Sequence, residues 1–435
     1  MSPELVGIVG IVIMLLLMFL GIPIAVCMAS VGFLGYAVLC GTPKAMVMLG
    51  LVPYSTIASY MLSVLPVYLL MGEFADISGL MRDSYRAANN WLGNLPGGLA
   101  MASIMGAALF SAVSGSSMAC AAIMTRISLP SLLDEYKYNA RLATGALAAG
   151  GTLGNLVPPG IAFVFYALMT ETSLGKLYIA ATLPGIILTL MYLIQIYIQC
   201  KLDPSLGPRG RRTTLKEKMF AIKDVIALAI IFTMVMGGIW FGIFTATEAG
   251  AIGTVFTLFF ALFRRTLNGK NLLQVLRNSI GISGMAFAII IGAQIFTNFV
   301  IISGISGALA KWVIDLKMSP LGVIVCIMIV YFILGTAMDT ITMILLTLPV
   351  LLGVVTALGI DLIWFGVLVI IQMELSNISP PVGMNLFVVA SMVKERNISM
   401  GTVFWGVLPF CLTMLLFTAI IIAFPQISLF LTKGM

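Results

Sequence analysis

The stretch Ser111-Ala-Val-Ser-Gly-Ser-Ser117 interrupts a long apolar run, 97–130, with small and hydroxyl-bearing residues. A second apolar run, 319–352, is interrupted in the same way by Gly335-Thr-Ala-Met-Asp-Thr340. One helical membrane crossing needs only about 20 residues, so each run is longer than a crossing requires and is broken near its middle. Broken backbone is tolerated in a membrane only where protein or a water-lined cavity satisfies it. We therefore predict that each run enters the membrane and returns as a helical hairpin.

The remainder of the chain is almost as apolar as these two runs. Of its 435 residues, 61% are hydrophobic and only 9% are charged, whereas a soluble domain carries about 25% charged residues. The composition excludes a water-soluble enzyme and predicts an all-α polytopic membrane protein. Ten further apolar stretches predict single crossings, near 4–20, 22–40, 55–77, 139–170, 175–200, 223–242, 245–263, 279–302, 361–393 and 402–424.

Two features of the composition narrow the chemistry. The chain contains no histidine, which removes the usual general base near neutral pH and the commonest transition-metal ligand. The cysteines are dispersed without any C-x-x-C pair and are interpreted as small buried apolar residues rather than disulfides or metal ligands. An intramembrane enzyme is therefore disfavoured, and no organic cofactor is expected. The six cysteines are Cys27, Cys40, Cys120, Cys200, Cys326 and Cys411.

The basic residues predict how the chain crosses the membrane. The segments 201–223 and 264–277 are rich in Lys and Arg and are placed in the cytoplasm. With two returning hairpins, 18 of the 23 Lys and Arg residues fall on that face, and both termini are predicted to be periplasmic. This topology accounts for the net charge of +7, so nucleic acid is not expected as a partner. The predicted outer basic residues are Lys44, Lys176, Lys311, Lys317 and Lys433.

The two halves of the chain match each other at an offset of 221–225 residues. Asn155-Leu-Val-Pro-Pro-Gly160 aligns with Asn377-Ile-Ser-Pro-Pro-Val382. Each half would contain five crossings and one hairpin, and because five is odd the halves must lie in opposite senses. We predict an inverted repeat. The first half is 1–210, with hairpin 97–130 and broken helix 139–170; the second is 211–435, with hairpin 319–352 and broken helix 361–393. The amphipathic segments 80–94 and 305–318 are interpreted as arms along the membrane interface.

Helices broken inside a membrane expose carbonyl oxygens at one half-helix end and N–H groups at the other, which suit Na⁺ and an anionic substrate respectively. Oxygen donors without histidine or thiolate favour a small hard cation. We predict Na⁺ at the hairpin tips, held by Ser116, Asn155, Asp339 and Asn377. The full set of candidate sodium and substrate residues is Ser114, Gly115, Ser116, Ser117, Asn155, Val157, Pro158, Gly335, Thr336, Asp339, Thr340, Glu374, Asn377, Ser379 and Pro380.

The acidic residues in apolar segments receive separate interpretations. Asp339 is favoured as a cation ligand, with a helix cap or interhelical hydrogen bond as the alternative, because a carboxylate in a membrane is costly and normally functional. Glu374 could bind the ion or pair with a helix end. Glu73 and Asp76 lie beside Arg82 and Arg86 and are interpreted as an interfacial structural network.

Several motifs together resemble one family over residues 4–430. They are Pro96-Gly-Gly-Leu99, the two hairpin motifs, Thr152-Leu-Gly-Asn-Leu-Val-Pro-Pro-Gly160, Ser173-Leu-Gly-Lys-Leu177, Leu183-Pro-Gly185 and Ser379-Pro-Pro-Val-Gly-Met-Asn-Leu386. This combination resembles the large, DctM-like membrane subunit of tripartite ATP-independent periplasmic (TRAP) transporters. Two departures are Gly160, where the family commonly has Ser, and the polar Glu374-Leu-Ser-Asn377, where members often have an apolar run containing Gly.

The resemblance implies a Na⁺-coupled, elevator-type importer of small organic acids, such as C4-dicarboxylates, sialic or sugar acids, in the bacterial inner membrane. It also implies two partners, an extracytoplasmic solute-binding protein and a small four-helix membrane subunit, which we expect as a separate chain. Membrane lipid surrounds the protein. The alternatives are a stand-alone Na⁺/dicarboxylate or citrate-type carrier, an arsenite-type pump component, and a structural or receptor membrane protein.

Overall fold

A computed structural model describes residues 2–336 and 338–434 of the chain, so the motif residue Ala337 lies outside the described residues. Within these ranges every regular element is a helix. Seven helices are long and apolar enough to cross a membrane, or eight if a broken pair is counted as one span. The polytopic membrane class is thus confirmed. The first ten helices are α1 (Pro3–Phe19), α2 (Ile24–Cys40), α3 (Thr42–Ile57), α4 (Val64–Ile77), α5 (Leu80–Leu92), α6 (Gly98–Ser114), α7 (Ser117–Leu129), α8 (Ala140–Leu156), α9 (Ile161–Thr170) and α10 (Leu174–Leu202).

The remaining ten helices begin with three long ones and continue with broken pairs. They are α11 (Leu215–Trp240), α12 (Ala246–Phe263), α13 (Gly269–Ser303), α14 (Ile305–Asp315), α15 (Pro320–Gly335), α16 (Thr340–Ala357), α17 (Leu362–Asn377), α18 (Met384–Val393), α19 (Met400–Ala423) and the short α20 (Gln426–Leu429). Short 3-10 or π segments also occur at Tyr60–Ser63, Pro130–Glu135, Lys394–Arg396 and Leu431–Gly434.

All four interruptions that the sequence predicts are present. The pairs α6/α7 and α15/α16 are broken inside the two hairpin motifs, and α8/α9 and α17/α18 are broken at the two Pro-Pro motifs. The axes of α8 and α9 differ by 42°. Proline has no N–H and disfavours helix in the residue before it, so each Pro-Pro pair ends a helix locally.

Three helices differ from the sequence prediction, and one of them, α11, starts at Leu215, eight residues before the predicted span at 223. Helix α3 occupies 42–57, where no complete element was predicted, and α13 starts at Gly269, ten residues before the predicted span at 279. Pro43 is accommodated in α3 because it lies in the first turn, where N–H groups have no partner within the helix.

The helices pack into two groups, which contact each other directly through α4 with α6 and α13 with α16 and are also bridged by two arms. In the first group, α13 packs against α2 and α4, and α4 also packs against α12. In the second group, α8 and α17 pack with both α10 and α19, and the other broken helices pack with these or with one another. The arm helix α5 contacts α6 and α11, and the arm helix α14 contacts α16. Each arm therefore touches one of the predicted hairpins.

Buried ionic contacts fix the first arm. Asp83 of α5 is buried and forms ion pairs with Arg264, at the end of α12, and with Arg86 at 3.0 Å. Arg86 also contacts Asp224 of α11 at 3.0 Å. At the other end of α5, the Trp91 indole donates to the Lys218 carbonyl at 3.1 Å. The arm is therefore held at both ends.

The expectation that all cysteines are buried is wrong for two of them. All six are free, but Cys326 of α15 is exposed and Cys40 is only partly buried. The lipid-facing side of a membrane helix is as apolar as its packed side. Composition alone therefore does not reveal which way a cysteine on such a helix points.

Candidate functional site

A cavity of about 260 Å³ lies where the broken helices meet α4 and α13. It brings together eight of the residues that the sequence singles out, from both halves of the chain. They are Ser114, Gly115, Ser116, Ser117, Asn155, Asp339, Thr340 and Asn377. The four predicted Na⁺ ligands are all among them.

Helix ends of both polarities face this cavity. Its lining includes the first residues of four helices, namely Ser117 of α7, Ile161 of α9, Thr340 of α16 and Met384 of α18. Such N-terminal ends carry partial positive charge that favours an anion. The last residues of α6 and α17, Ser114 and Asn377, also line the cavity, and C-terminal carbonyls favour a cation. The arrangement can hold a carboxylate and a small cation together.

The tip of the first hairpin requires glycine. Gly115 ends α6 with φ +64°, and a Cβ atom there would lie 2.6 Å from the Pro159 carbonyl oxygen. The Ile161 N–H donates to the Gly115 carbonyl at 3.0 Å. Ser116 then caps α7 by accepting from the Ala119 N–H at 3.4 Å. The tip is thus bound to the break between α8 and α9.

Glu374 connects the polar groups of both halves behind the cavity wall. Its carboxylate is fully buried and accepts hydrogen bonds from the Ser117 hydroxyl at 2.5 Å and the Asn155 amide at 2.8 Å. The Asn377 amide lies 3.5 Å from the same carboxylate and donates to the Thr340 hydroxyl at 2.9 Å. One carboxylate therefore joins the tips of both predicted hairpins to both broken helices.

Of the two roles that the sequence left open for Asp339, the helix cap is present in the structure. Asp339 caps α16, accepting from the Thr342 N–H at 3.2 Å and from the Thr342 hydroxyl. It also lines the cavity, so capping leaves it available to a bound ion. Groups of three or more clustered Asp, Glu, Cys or His that could hold a metal do not occur in the described part of the chain. A cation at the hairpin tips would rely on hydroxyl, amide and backbone oxygens with the Asp339 carboxylate, a donor set that fits Na⁺.

Seven of the predicted site residues do not line the cavity. Glu374 lies behind its wall, Gly335 packs against Ser376, and the Thr336 hydroxyl donates to the Ile333 carbonyl at 2.8 Å. Ser379 bonds to the Leu375 carbonyl at 2.8 Å. The remaining three, Val157, Pro158 and Pro380, belong to the helix breaks, where the Pro158–Pro159 and Pro380–Pro381 peptide bonds are both cis.

The sequence interpretation missed two cavity carboxylates, Glu73 and Asp76 of α4. Both line the cavity, and ion pairs of either with Arg82 or Arg86 are absent from the described residues. Glu73 instead accepts a hydrogen bond from Asn278 of α13 at 3.0 Å. Asp76 also lines a second cavity together with Arg82, so the interfacial network stays a prediction. The sequence pattern could have indicated the two cavity carboxylates. The spacing of Leu69, Gly72, Glu73 and Asp76 places all four on one face of α4, so that two carboxylates share a face with residues that line the cavity.

Broken helices around a buried polar cavity are typical of ion-coupled membrane transporters, and comparisons with known proteins give the same class. The chain matches the family model described as "Tripartite ATP-independent periplasmic transporter, DctM component" over residues 11–427. It is 34% identical to the C4-dicarboxylate TRAP transporter large permease protein DctM of Pseudomonas aeruginosa, over 92% of this chain and 93% of that protein. It is 28% identical to the sialic acid TRAP transporter large permease protein SiaM of Vibrio cholerae, over 87% of each.

The chain belongs to the DctM family of TRAP transporters and is a transporter component rather than an enzyme. Membership of a tripartite family implies that it works with a small membrane subunit and a periplasmic solute-binding protein. Among solved structures, the Alcanivorax borkumensis YdaH transporter has a similar fold, with a TM-score of 0.62 and 14% identity, covering 88% of this chain and 89% of that one. At that identity the likeness concerns the fold alone.

Proposed function

We propose that this chain imports small organic acids with Na⁺ as the coupling ion. The observation that carries the proposal is the convergence of four helix N-termini, two helix C-terminal residues and the Asp339 carboxylate on one cavity. The N-termini suit the substrate carboxylate, and the oxygen donors suit the ion. The relatives are named for C4-dicarboxylates and for sialic acid, which supports a carboxylate substrate.

The proposed mechanism is an elevator. The helix group that contains both hairpins and both Pro-Pro breaks would move as one body against the group formed by α2, α4, α12 and α13. The buried Glu374 network supports this division, because it joins the broken helices to one another. The chain would lie in the bacterial inner membrane with both termini periplasmic, and it would receive substrate from an extracytoplasmic solute-binding protein beside a separate four-helix subunit.

Two aspartate caps provide a matched test of the ion site. Asp339 caps α16 at the cavity, whereas Asp361 caps α17 away from it, accepting from the Trp364 N–H at 2.9 Å. Each Asp→Asn change weakens a cap by at most about 1 kcal/mol. Only Asp339→Asn should raise the half-saturating Na⁺ concentration, by about tenfold or more, since only Asp339 faces the proposed ion.

The measurement is Na⁺-dependent uptake of labelled succinate or sialic acid into vesicles containing both membrane subunits, with the solute-binding protein outside. Ser116→Ala and Asn377→Ala should also weaken the Na⁺ dependence while leaving expression intact. Unchanged Na⁺ coupling in all three site variants would disprove the ion assignment. Robust uptake by the purified chain alone would contradict the tripartite mechanism and favour a stand-alone carrier.

A further inference from the structure

A second cavity, of about 500 Å³, opens beside the central one. The two cavities share Asp76 of α4 and Ile123 of α7 in their linings. The second cavity is bounded by the junction of α4 and α5, by α7 and by the residues that follow α12. The two cavities therefore adjoin, and we refer to them together as the cleft. It extends from the hairpin tip toward the face where the loops after α7 and α12 lie, which the basic residues predict to be cytoplasmic.

Two helices supply the walls of this cleft. Glu73 and Asp76 lie on one face of α4, and Ala119, Ile123 and Arg126 follow one face of α7. These spacings of three and four residues keep each set on one side of its helix. From Ser117 at the tip to Arg126 is about 14 Å along the α7 axis, at 1.5 Å per residue.

The charge of the lining changes sign along the cleft. The central cavity is lined by the carboxylates of Glu73, Asp76 and Asp339, and its described lining contains neither Lys nor Arg. The second cavity forms the mouth of the cleft. Its lining contains three arginines, Arg82, Arg126 and Arg264, and two aspartates, Asp76 and Asp83. An anion that leaves the central cavity therefore passes two carboxylates before it meets basic side chains.

Two of the three arginines at the mouth are available to a ligand. Arg264 is engaged, because it pairs with Asp83, donates to the Ser78 carbonyl at 3.1 Å and lies over the Phe260 ring. Arg82 and Arg126 are exposed in the cleft. Among the described residues, neither has an ion pair within 4.0 Å.

We propose that Arg82 and Arg126 form a second carboxylate-binding site, at the mouth of the cleft, which the transported acid occupies after leaving the central cavity. Guanidinium groups bind carboxylates through paired N–H donors. Arg126 moves with the hairpin helix α7, whereas Arg82 belongs to the arm α5. The site therefore forms only where these two elements face each other across the open cleft. This inference rests on the proposed function, because it assumes that an organic acid uses the cleft.

The local potential at the mouth can be measured without any transport. Ile127 lines the mouth beside Arg126, so Ile127→Cys places a thiol there in a full-length chain whose Cys40 and Cys326 are changed to Ser. The rates of modification by an anionic and a cationic methanethiosulfonate are then compared. Changing both arginines to glutamine should lower the anionic-to-cationic rate ratio about three- to tenfold at low ionic strength. Arg212→Gln, an exposed arginine on the same predicted face and outside the cavity, should leave the ratio unchanged.

Occupancy of the site is tested with succinate as the probe. When both arginines are present, succinate should slow the reaction of the anionic methanethiosulfonate with the Ile127→Cys thiol at least twofold. Chloride at the same ionic strength should not slow this reaction. The effect should vanish in Arg82→Gln/Arg126→Gln. An unchanged rate ratio, or equal effects of succinate and chloride, would overturn the proposal. This assay needs neither Na⁺ nor the solute-binding protein, so its failure is distinguishable from a failure of Na⁺-coupled uptake.

Discussion

At the scale of single residues, Glu374 is a carboxylate buried inside an apolar helix. It is fully buried and accepts from Ser117 and Asn155 of the first half, while the Asn377 amide lies 3.5 Å away. In the predicted repeat, the matching position 222 residues earlier is Thr152, whose hydroxyl donates to the Ala149 carbonyl of its own helix. The carboxylate thus occurs in one half only and joins that half to the other.

Two substitutions separate the charge of Glu374 from its geometry. Glutamine can accept from Asn155 and donate to Ser117, so Glu374→Gln should fold normally and raise the half-saturating Na⁺ concentration about tenfold. Glu374→Ala leaves a cavity and two buried polar groups without their acceptor, which should cost about 2–4 kcal/mol of stability. Thermal unfolding in detergent and Na⁺-dependent uptake measure the two effects. Glu395→Gln, an exposed carboxylate, is the control; equal effects of all three changes would contradict the assigned role.

At the scale of elements, α5 owes its position to charge rather than to apolar packing alone. Asp83 is 5% exposed and contacts two arginines from different elements. A second ion pair, Arg396–Asp134 at 2.7 Å, joins the loop after α7 to the segment after α18, but it lies at the surface. Buried and exposed ion pairs differ strongly in their contribution to stability.

Removing each carboxylate should show this difference. Asp83→Asn should lower stability by about 1–3 kcal/mol, because Arg264 loses its buried carboxylate partner while Arg86 keeps Asp224, whereas Asp134→Asn should shift the thermal midpoint only slightly. The hydrogen bond from Arg396 lowers the pKa of Asp134 below its ordinary value. The Asp134 pair therefore stabilises the folded state above the unfolded-state pKa, and its contribution is lost as the pH falls through the lowered pKa. Thermal unfolding of both variants at neutral and acid pH tests this; similar losses at neutral pH would refute it.

At the scale of the whole molecule, the prediction is the orientation of the chain. Counting both interrupted stretches as returning hairpins places Lys44 and Lys433 outside, whereas a simple crossing at 97–130 would move Lys44 inside and one at 319–352 would move Lys433 inside. Each hairpin thus has its own reporter position.

Cysteine labelling reads these positions directly. In a background with Cys40 and Cys326 changed to Ser, Lys44→Cys and Lys433→Cys should react with a membrane-impermeant maleimide in spheroplasts that retain an intact inner membrane. Arg211→Cys should react only after permeabilisation, since the segment 201–223 is placed in the cytoplasm. Protection of the Lys44→Cys thiol until permeabilisation would contradict the first hairpin, and protection of the Lys433→Cys thiol would contradict the second.

The sequence by itself determined the membrane class and the positions of the four helix breaks, because both depend on local chemistry. Apolar length predicts a span, and Pro-Pro or Ser-Gly-Ser-Ser ends a helix wherever the chain goes. It also found eight residues that line the cavity, since polar groups in apolar segments are rare enough to be noticed.

Only the tertiary structure decided which of these polar groups meet. Glu73 and Asp76 line the cavity because that face of α4 lies toward the broken helices. Glu374 lies behind the cavity wall, where it is hydrogen-bonded to Ser117 and Asn155. The exposure of Cys326 was not predicted for a related reason. Lipid-facing and buried surfaces of a membrane helix are equally apolar, so the sequence pattern does not show which face packs.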